Sequence, residues 1–160
     1  MGELKRRNAP VSATALAAEL SVSRQIIVGD IALLRAGGER ILATPRGYVL
    51  DRGSDDKLYT VACVHGVADT ERELNIMVDN GCTVVDVIVE HAVYGQLTGT
   101  LEVSSRYDVR QFMQKLTEDG AQPLSTLTGG VHIHDLRCRS DEDFARTCAA
   151  LRAAGFIYEE

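Results

Sequence analysis

The sequence predicts an α+β protein of two domains, a small helical domain with a β-hairpin over residues 1–52 and an open-sheet βαββαβα sandwich over residues 57–160. Three observations lead to this prediction. Helical spacing dominates the first third, whereas strand-like and helical segments alternate afterwards. The polar, glycine-containing stretch 51–56 separates them. The charge also changes sign: residues 1–52 carry 8 Lys and Arg against 5 Asp and Glu, and the remainder carries 9 against 18.

The first domain is predicted to contain two helices joined by a short turn. Ser12 suits the N-cap of a helix over Thr14–Leu20, and Ser23 suits the N-cap of a second helix over Arg24–Ala36. Gly37-Gly38 ends the second helix. Two helices with a turn of three to four residues between them make a helix-turn-helix unit.

A hairpin follows the second helix. The strand-like runs Ile41–Ala43 and Tyr48–Leu50 flank the turn residues Thr44-Pro45-Arg46-Gly47. A helix-turn-helix followed by such a hairpin is a winged helix-turn-helix, which binds double-stranded DNA by the start of its second helix.

The candidate DNA contacts lie on the predicted second helix and the hairpin tip. They are Ser23, Arg24, Gln25 and Arg46. These side chains can bond phosphates or base edges, and the acidic second domain should contact DNA only through the basic first one. The alternative is a generic helical hairpin with solvated arginines.

The second domain is predicted as alternating strands and helices. The strands are Leu58–Val64, Thr83–Glu90, Thr98–Val103 and Val131–Cys138. The helices are Glu71–Asn80, Arg106–Asp119 and Asp141–Ala154. Capping boxes are expected at Thr70/Glu73, Ser105/Asp108 and Ser140/Asp143. This order predicts helices on one face of an open sheet.

The histidines point to a metal site. His132 and His134 are two apart in a predicted strand and therefore share a face. His65 ends the first strand, and Glu73 lies in the first turn of the next helix, so all four could converge. Nitrogen and oxygen ligands suit Zn, Ni, Fe or Mn, and the sequence does not choose between them. The alternatives are a capping role for Glu73, a loop position for His65 and an exposed edge strand for the His-x-His pair.

Other residues narrow the class of protein. His91, Tyr94 and the adjacent Gly95 could line a small-molecule pocket. The sequence shows no catalytic signature, so an enzyme is not expected. The widely spaced cysteines are expected to be buried reduced thiols, in keeping with a cytoplasmic protein. A membrane span and a secretory leader are not expected, since no apolar run reaches about 18 residues.

The chain resembles the NiaR-type transcriptional repressors of NAD biosynthesis, which join a winged helix-turn-helix to a three-histidine (3H) domain. The resemblance rests on SVSRQIIVGDIALLRAGG with ATPRGYVL in the first domain, and on His65 with Glu73, VEHAVYG and GGVHIHDL in the second. It covers essentially the whole chain. The family usually has a longer first helix, whereas only Met1–Asn8 precedes Pro10 here.

The resemblance implies an HPr-like sandwich that binds a divalent transition metal and helps to form a homodimer. The implied metal ligands are His65, Glu73, His132 and His134, and His91 is the third signature histidine. Nicotinic acid would be the co-repressor. From the residues themselves we expect it to bind at or beside the metal, with His91 and Tyr94 closing the pocket. Two other readings stay open: a metalloregulator in which the ion itself is the signal, and an enzyme in which the ion activates water.

Overall fold

The computed structural model describes residues 1–53 and 55–159, and the chain divides into a unit of Met1–Gly53 and a second unit after it. Ser54, which falls in the predicted linker, and Glu160 lie outside the described residues. Within the described ranges, no helix combines the length and the apolar character that a membrane crossing requires.

The first unit has the predicted helix-turn-helix and hairpin. Its elements are α1 (Gly2–Lys5), α2 (Ala13–Leu20), α3 (Arg24–Ala36), β1 (Ile41–Thr44) and β2 (Gly47–Leu50). The side chain of Ser12 accepts a hydrogen bond from the Ala15 amide, and that of Ser23 accepts one from the Ile26 amide. These caps satisfy backbone donors at the helix starts, so the predicted starts hold to within one residue.

A small apolar core joins these elements. Its buried side chains include Leu4, Leu16, Ile27, Ile31 and Ile41. Leu4 shows that even the four-residue α1 contributes to the core. Ile27 and Ile31 are four residues apart and therefore lie on the same face of α3. This face packs against the core, and the opposite face is exposed to solvent.

The second unit has the predicted βαββαβα order. Its elements are β3 (Lys57–Val64), α4 (Thr70–Asp79), β4 (Cys82–His91), β5 (Gly95–Val103), α5 (Arg106–Glu118), β6 (Val131–Cys138) and α6 (Asp141–Ala153). Short 3-10 helices lie at Val67–Asp69 and Leu124–Thr128, which the sequence did not predict. The sheet is antiparallel in the order β3-β6-β4-β5.

Strand β6 is central in this sheet, so the edge-strand alternative for the His-x-His pair is wrong. Every second side chain of β6 is buried, beginning with His132 and His134 and continuing with Leu136 and Cys138. Leu136 belongs to the same core as buried residues of all the neighbouring helices, namely Leu74, Met77, Val109 and Leu151. The histidines therefore occupy core positions beneath the helices.

The capping box predicted at Thr70 and Glu73 is wrong. Asp69 is the N-cap of α4 and makes no side-chain cap hydrogen bond, and Thr70 is already helical. The boxes at the other two helices fare better, because Ser105 accepts from the Asp108 amide and Ser140 accepts from the Asp143 amide. The carboxylate of Glu73 is thus available for another role.

The expectation that the cysteines are all reduced is also corrected. Cys82 and Cys138 are opposite partners on β4 and β6 and are joined by a disulfide, with their Cα atoms 4.5 Å apart. Cys63 and Cys148 are free thiols. The spacing of cysteines in the sequence cannot reveal a cross-strand pair, because strand register decides which residues face one another.

Candidate functional site

The structure brings His65, Glu73, His132 and His134 together in the second unit. His65 follows β3, Glu73 lies in the first turn of α4, and the other two lie on the inward face of β6. Their side chains are between 1% and 3% exposed. Four ionisable groups at that depth cannot remain without partners, so their contacts with one another define the site.

Glu73 is the centre of the cluster. Its Oε2 contacts Nε2 of His65, and its Oε1 lies 2.8 Å from Nε2 of His132 and 3.1 Å from Nε2 of His134. The same nitrogen of each ring therefore points to one carboxylate. Each ring must be held in this orientation by its other nitrogen.

A backbone carbonyl holds the Nδ1 atom of each ring. His65 Nδ1 lies 2.7 Å from the Gly66 oxygen and His132 Nδ1 lies 2.8 Å from the Gly130 oxygen. Since a carbonyl only accepts hydrogen bonds, each Nδ1 carries the hydrogen and each neutral ring presents an unprotonated Nε2. Metal-binding histidines in proteins are oriented by this kind of outer contact.

The third carbonyl comes from an irregularity in the sheet. His134 Nδ1 donates to the Asp86 oxygen at 2.6 Å, where the pairing of β4 with β6 breaks between Val84 and Ile88. The Asp86 side chain accepts from the Asp135 amide at 3.1 Å and replaces a missing ladder contact. A break in strand pairing thus frees a carbonyl to fix a ring, a recurrent use of such irregularities beside functional sites.

The cluster brings hydrogen-bond acceptors together with no hydrogen-bond donor among them. Neutral Nε2 atoms and an ionised carboxylate all present lone pairs to the same small volume. His134 Nε2 is buried and has no partner with hydrogen-bond geometry, although Glu73 is close. Only protons or a cation at the centre can satisfy this set, so the donor atoms fit a metal ion.

In the metal-free chain, protons fill that role. Burial opposes ionisation of Glu73, but the surrounding histidines outweigh it and hold the pKa of Glu73 well below its usual range. Burial likewise lowers the pKa of His65 and His134, yet the facing carboxylate dominates and raises the pKa of both. A divalent ion would take the place of these protons.

Sequence reasoning missed several parts of the site. Cys63 lies directly opposite His132 in the pairing of β3 with β6, and it is fully buried. Burial and the charge of Glu73 raise the pKa of its thiol. The alternation of β3 could have identified Cys63, since it lies two residues before His65. Asp86 carried no signal, because a break in strand pairing is not visible in one sequence.

Gly130 contributes by its backbone. Its carbonyl accepts from both the His65 amide, at 3.3 Å, and His132 Nδ1. A Cβ atom there would lie 2.4 Å from the His65 oxygen, and the residue has φ +96°. Gly130 therefore permits a close crossing of two strand ends, whereas a Cβ on Gly129 would meet no atom within 4 Å.

The described contacts of His91 and Tyr94 are with each other and with their own hairpin, and none of them is with the clustered residues. They lie at the β4–β5 hairpin, where His91 Nδ1 accepts from the amides of Val93 and Tyr94 at 3.1 and 3.3 Å. Tyr94 is 74% exposed. Ile88 lies opposite Ile133 in the antiparallel pairing of β4 with β6, so His91, three residues farther along β4, lies at the end of the sheet where β6 begins after Gly130. His91 also has the opposite tautomer to the clustered rings, with its hydrogen on Nε2.

Two spaces adjoin the clustered histidines. A small cavity of about 30 Å³ is lined by the four cluster residues, by apolar side chains and by Thr70 and Ser125. This volume suits an ion or a water molecule but not an organic ring. An open cleft of about 420 Å³ lies between Val64–Val67 and the segment containing Ser125, Thr126, Gly129 and Gly130.

In the first unit, the candidate DNA contacts lie at the start of α3 and in the hairpin. Arg24 and Gln25 are exposed. Ser23 is also exposed, but its oxygen already accepts the capping hydrogen bond. Arg46 is half-buried in the turn between β1 and β2, where its amide donates to Thr44 Oγ1 at 3.2 Å. The start of α3 therefore presents two long, exposed polar side chains, and the hairpin presents a less exposed arginine.

Comparison with known proteins gives the relationships of the chain. The 3H domain family matches residues 59–160, and a helix-turn-helix domain family matches residues 1–49. The probable transcription repressor NiaR of Thermotoga maritima is 46% identical over 157 residues, which is 98% of this chain and 90% of that protein. The transcription repressor NadR of Bacillus subtilis is 40% identical over 161 residues, 98% of this chain and 89% of that one. These names describe regulators and not enzymes. The chain therefore belongs to the 3H-domain family, in a form that carries a helix-turn-helix domain and is related to NiaR and NadR over almost its whole length.

Proposed function

We propose that this protein is a homodimeric, DNA-binding transcription repressor whose 3H domain holds a divalent transition metal and responds to nicotinic acid. Its targets would be genes of NAD biosynthesis or niacin uptake. The kinship with two proteins named as repressors supports the DNA-binding role. The convergence of three oriented Nε2 atoms and a carboxylate supports the metal.

The metal site is proposed to use His65, Glu73, His132 and His134. The ion would lie where the Nε2 atoms now face the carboxylate, and it would satisfy the unpartnered Nε2 of His134. Its chemical contribution is a buried positive charge with free coordination positions. Histidine must be neutral to bind, so metal affinity should fall as the pH falls through the raised pKa of His65 and His134.

Nicotinic acid is proposed to bind in the open cleft beside His65. The small cavity of about 30 Å³ excludes a ring, whereas the cleft of about 420 Å³ admits one. His91 suits the carboxylate of this effector, because its Nε2 hydrogen is directed away from the hairpin amides. Because Val93 and Tyr94 at the tip of the β4–β5 hairpin are exposed, we propose that this hairpin, with His91, closes the cleft of the other protomer.

DNA recognition is proposed for the first unit. Arg24 and Gln25 at the start of α3 would enter the major groove, with Ser23 and Arg46 beside the phosphates. A dimer would place two such helices on a palindromic operator, with half-sites about one DNA turn apart.

Operator binding titrated with two ligands tests the proposal. Nicotinate at a fixed metal concentration should tighten binding by about 5- to 150-fold, the usual range of coupling between two sites. When metal is titrated at fixed nicotinate, operator binding should rise until the metal site is filled and should not change with further metal. The His132→Ala, His134→Ala double variant should lose the ion and the nicotinate response but retain basal DNA binding. A full response in that variant would contradict the metal-dependent effector site.

A further inference from the structure

A buried thiol adjoins the proposed metal site, and it belongs neither to the proposed ligand set nor to the disulfide. Cys63 is 0% exposed and is free. It lies on the inward face of β3, two residues before His65 and directly across from His132. An inert core cysteine would be surrounded by apolar atoms, whereas this one is beside the carboxylate of Glu73.

The positions of the ligand atoms bring the sulfur within reach of the same ion. The sulfur of Cys63, a carboxylate oxygen of Glu73 and a ring nitrogen of His132 all lie within 4.8 Å of one another. Sulfur and nitrogen on opposite sides of one ion are about 4.4 Å apart. The limit of 4.8 Å lies just above this largest possible separation, so the three side chains would have to draw together by a small movement to bind one ion. The unpartnered, buried Nε2 of His134 is a second, independent indication that a cation belongs here.

We infer that Cys63 is a further ligand, so that the ion is bound by a sulfur in addition to the nitrogen and carboxylate donors. This inference rests on the proposed metal site and specifies its chemistry. The thiol proton passes to solvent as the sulfur binds, and the thiolate forms one bond to the ion. Thiolate and carboxylate together neutralise a divalent charge, which removes the cost of an unbalanced buried charge.

A sulfur ligand changes which ion the site prefers. Thiolates favour Zn²⁺, Co²⁺ or Ni²⁺, whereas sites of oxygen ligands favour Mn²⁺ and Mg²⁺. A sulfur ligand thus narrows the set of ions that nitrogen and oxygen ligands allow to the ions that bind sulfur well. Manganese is excluded as the preferred ion.

Cobalt substitution of the full-length protein tests the inference. The wild-type Co²⁺ protein should show a sulfur-to-cobalt charge-transfer band in the near ultraviolet beside the visible d–d bands. The Cys63→Ser variant should lose the charge-transfer band and keep d–d bands. The Cys148→Ser variant is the matched control, because it removes the other free thiol, and it should keep both.

The outcomes separate this inference from the proposal beneath it. Visible bands without a charge-transfer band in the wild type would overturn the Cys63 ligand and leave the metal site standing. Failure to take up cobalt at all would overturn both. If Cys63→Ser does not fold, X-ray absorption of the wild-type cobalt protein decides instead, since a cobalt–sulfur shell supports the ligand and a shell of nitrogen and oxygen alone refutes it.

Discussion

At the residue scale, Gly129 and Gly130 provide a matched pair for testing how the site is held. Both have positive φ, +64° and +96°, so alanine is strained at either position. Only at Gly130 would the new Cβ collide with the His65 backbone. We expect Gly129→Ala to cost about 1 kcal/mol of stability, and Gly130→Ala to cost clearly more and also to weaken metal binding.

Denaturant unfolding and metal titration of the two variants measure this difference. Equal losses of stability and equal metal affinity would show that the close crossing at Gly130 has no role in orienting His65 and His132.

The protonated cluster also predicts a pH dependence for the metal-stripped protein. His65 and His134 have a raised pKa, so their contribution is complete below their ordinary value of 6.5 and is lost as the pH rises through the raised pKa. Glu73 has a lowered pKa, so its contribution is present above 4.5 and is lost as the pH falls further. Stability from this cluster is therefore greatest between those limits.

Unfolding of the metal-stripped protein at about pH 6 and about pH 8.5 measures the effect, on either side of the histidine range. The wild type should lose more stability over this interval than Glu73→Gln, in which no carboxylate raises the histidine pKa. With a metal bound the dependence should reverse, because protons compete with the ion. An identical slope in both metal-stripped proteins would contradict the assignment.

The part of the site that could be predicted from the sequence is the part that depends on residue type and on short-range spacing. His132 and His134 share a face because strand side chains alternate, and His65 with Glu73 follows from a strand end and the next helix start. Cys63, Asp86 and the Gly130 carbonyl were not predicted. Their roles depend on strand register and on a break in pairing, which are set by contacts between distant parts of the chain.

At the scale of elements, α3 carries a glycine on its exposed face. Gly29 lies one turn after Gln25, and a Cβ there would meet no atom within 4 Å. Gly29→Ala should therefore stabilise the protein by about 1 kcal/mol through helix propensity. Gly29→Leu should keep most of this gain, but its bulk should weaken operator binding, since this face of α3 would enter the groove. Denaturant unfolding and DNA titration measure the two effects, and unchanged operator affinity for Gly29→Leu would place the groove contact elsewhere on the helix.

A second prediction at this scale concerns the hairpin of β1 and β2 and its contact with DNA. Arg46→Ala should weaken binding to all DNA sequences alike and reduce the salt dependence by about one phosphate contact. Gln25→Ala is the comparison, because loss of a base contact should relax sequence preference and leave the salt dependence nearly unchanged. An unaltered salt slope for Arg46→Ala would remove the hairpin from the DNA interface.

Local signals predicted some elements well. Alternation predicted β6 (Val131–Cys138) with both of its ends, and the serine caps located α2 and α3. The start of α4 was predicted less well, because Thr70 and Glu73 satisfied the pattern of a capping box while the carboxylate is held by histidines from other strands. Tertiary contacts override a local preference there.

At the scale of the whole molecule, the exposed β4–β5 hairpin, which we propose closes the partner's cleft, predicts a site shared between protomers. The protein should sediment as a dimer. Homodimers of His91→Ala and of the His132→Ala, His134→Ala double variant should both bind nicotinate poorly. A mixed dimer should regain one site, since it combines an intact metal cluster in one protomer with an intact hairpin in the other.

Calorimetry of the purified mixed dimer measures this recovery. Nicotinate binding no better than in the parent homodimers would show that the hairpin does not close its partner's cleft. A wild-type protein that sediments as a monomer at tens of micromolar would remove the shared site altogether.

The burial of the clustered side chains determines how quickly a bound ion could exchange with solvent. An ion whose ligands are at most 3% exposed can leave only when the surrounding segments open, and such openings are rare events in a packed core. Its residence would outlast brief changes in the supply of free metal. A small acid in the open cleft, by contrast, would come and go with its concentration. The two ligands would therefore exchange at different rates. The ion would stay bound as a lasting part of the effector site, whereas the acid would be the signal to which the protein responds.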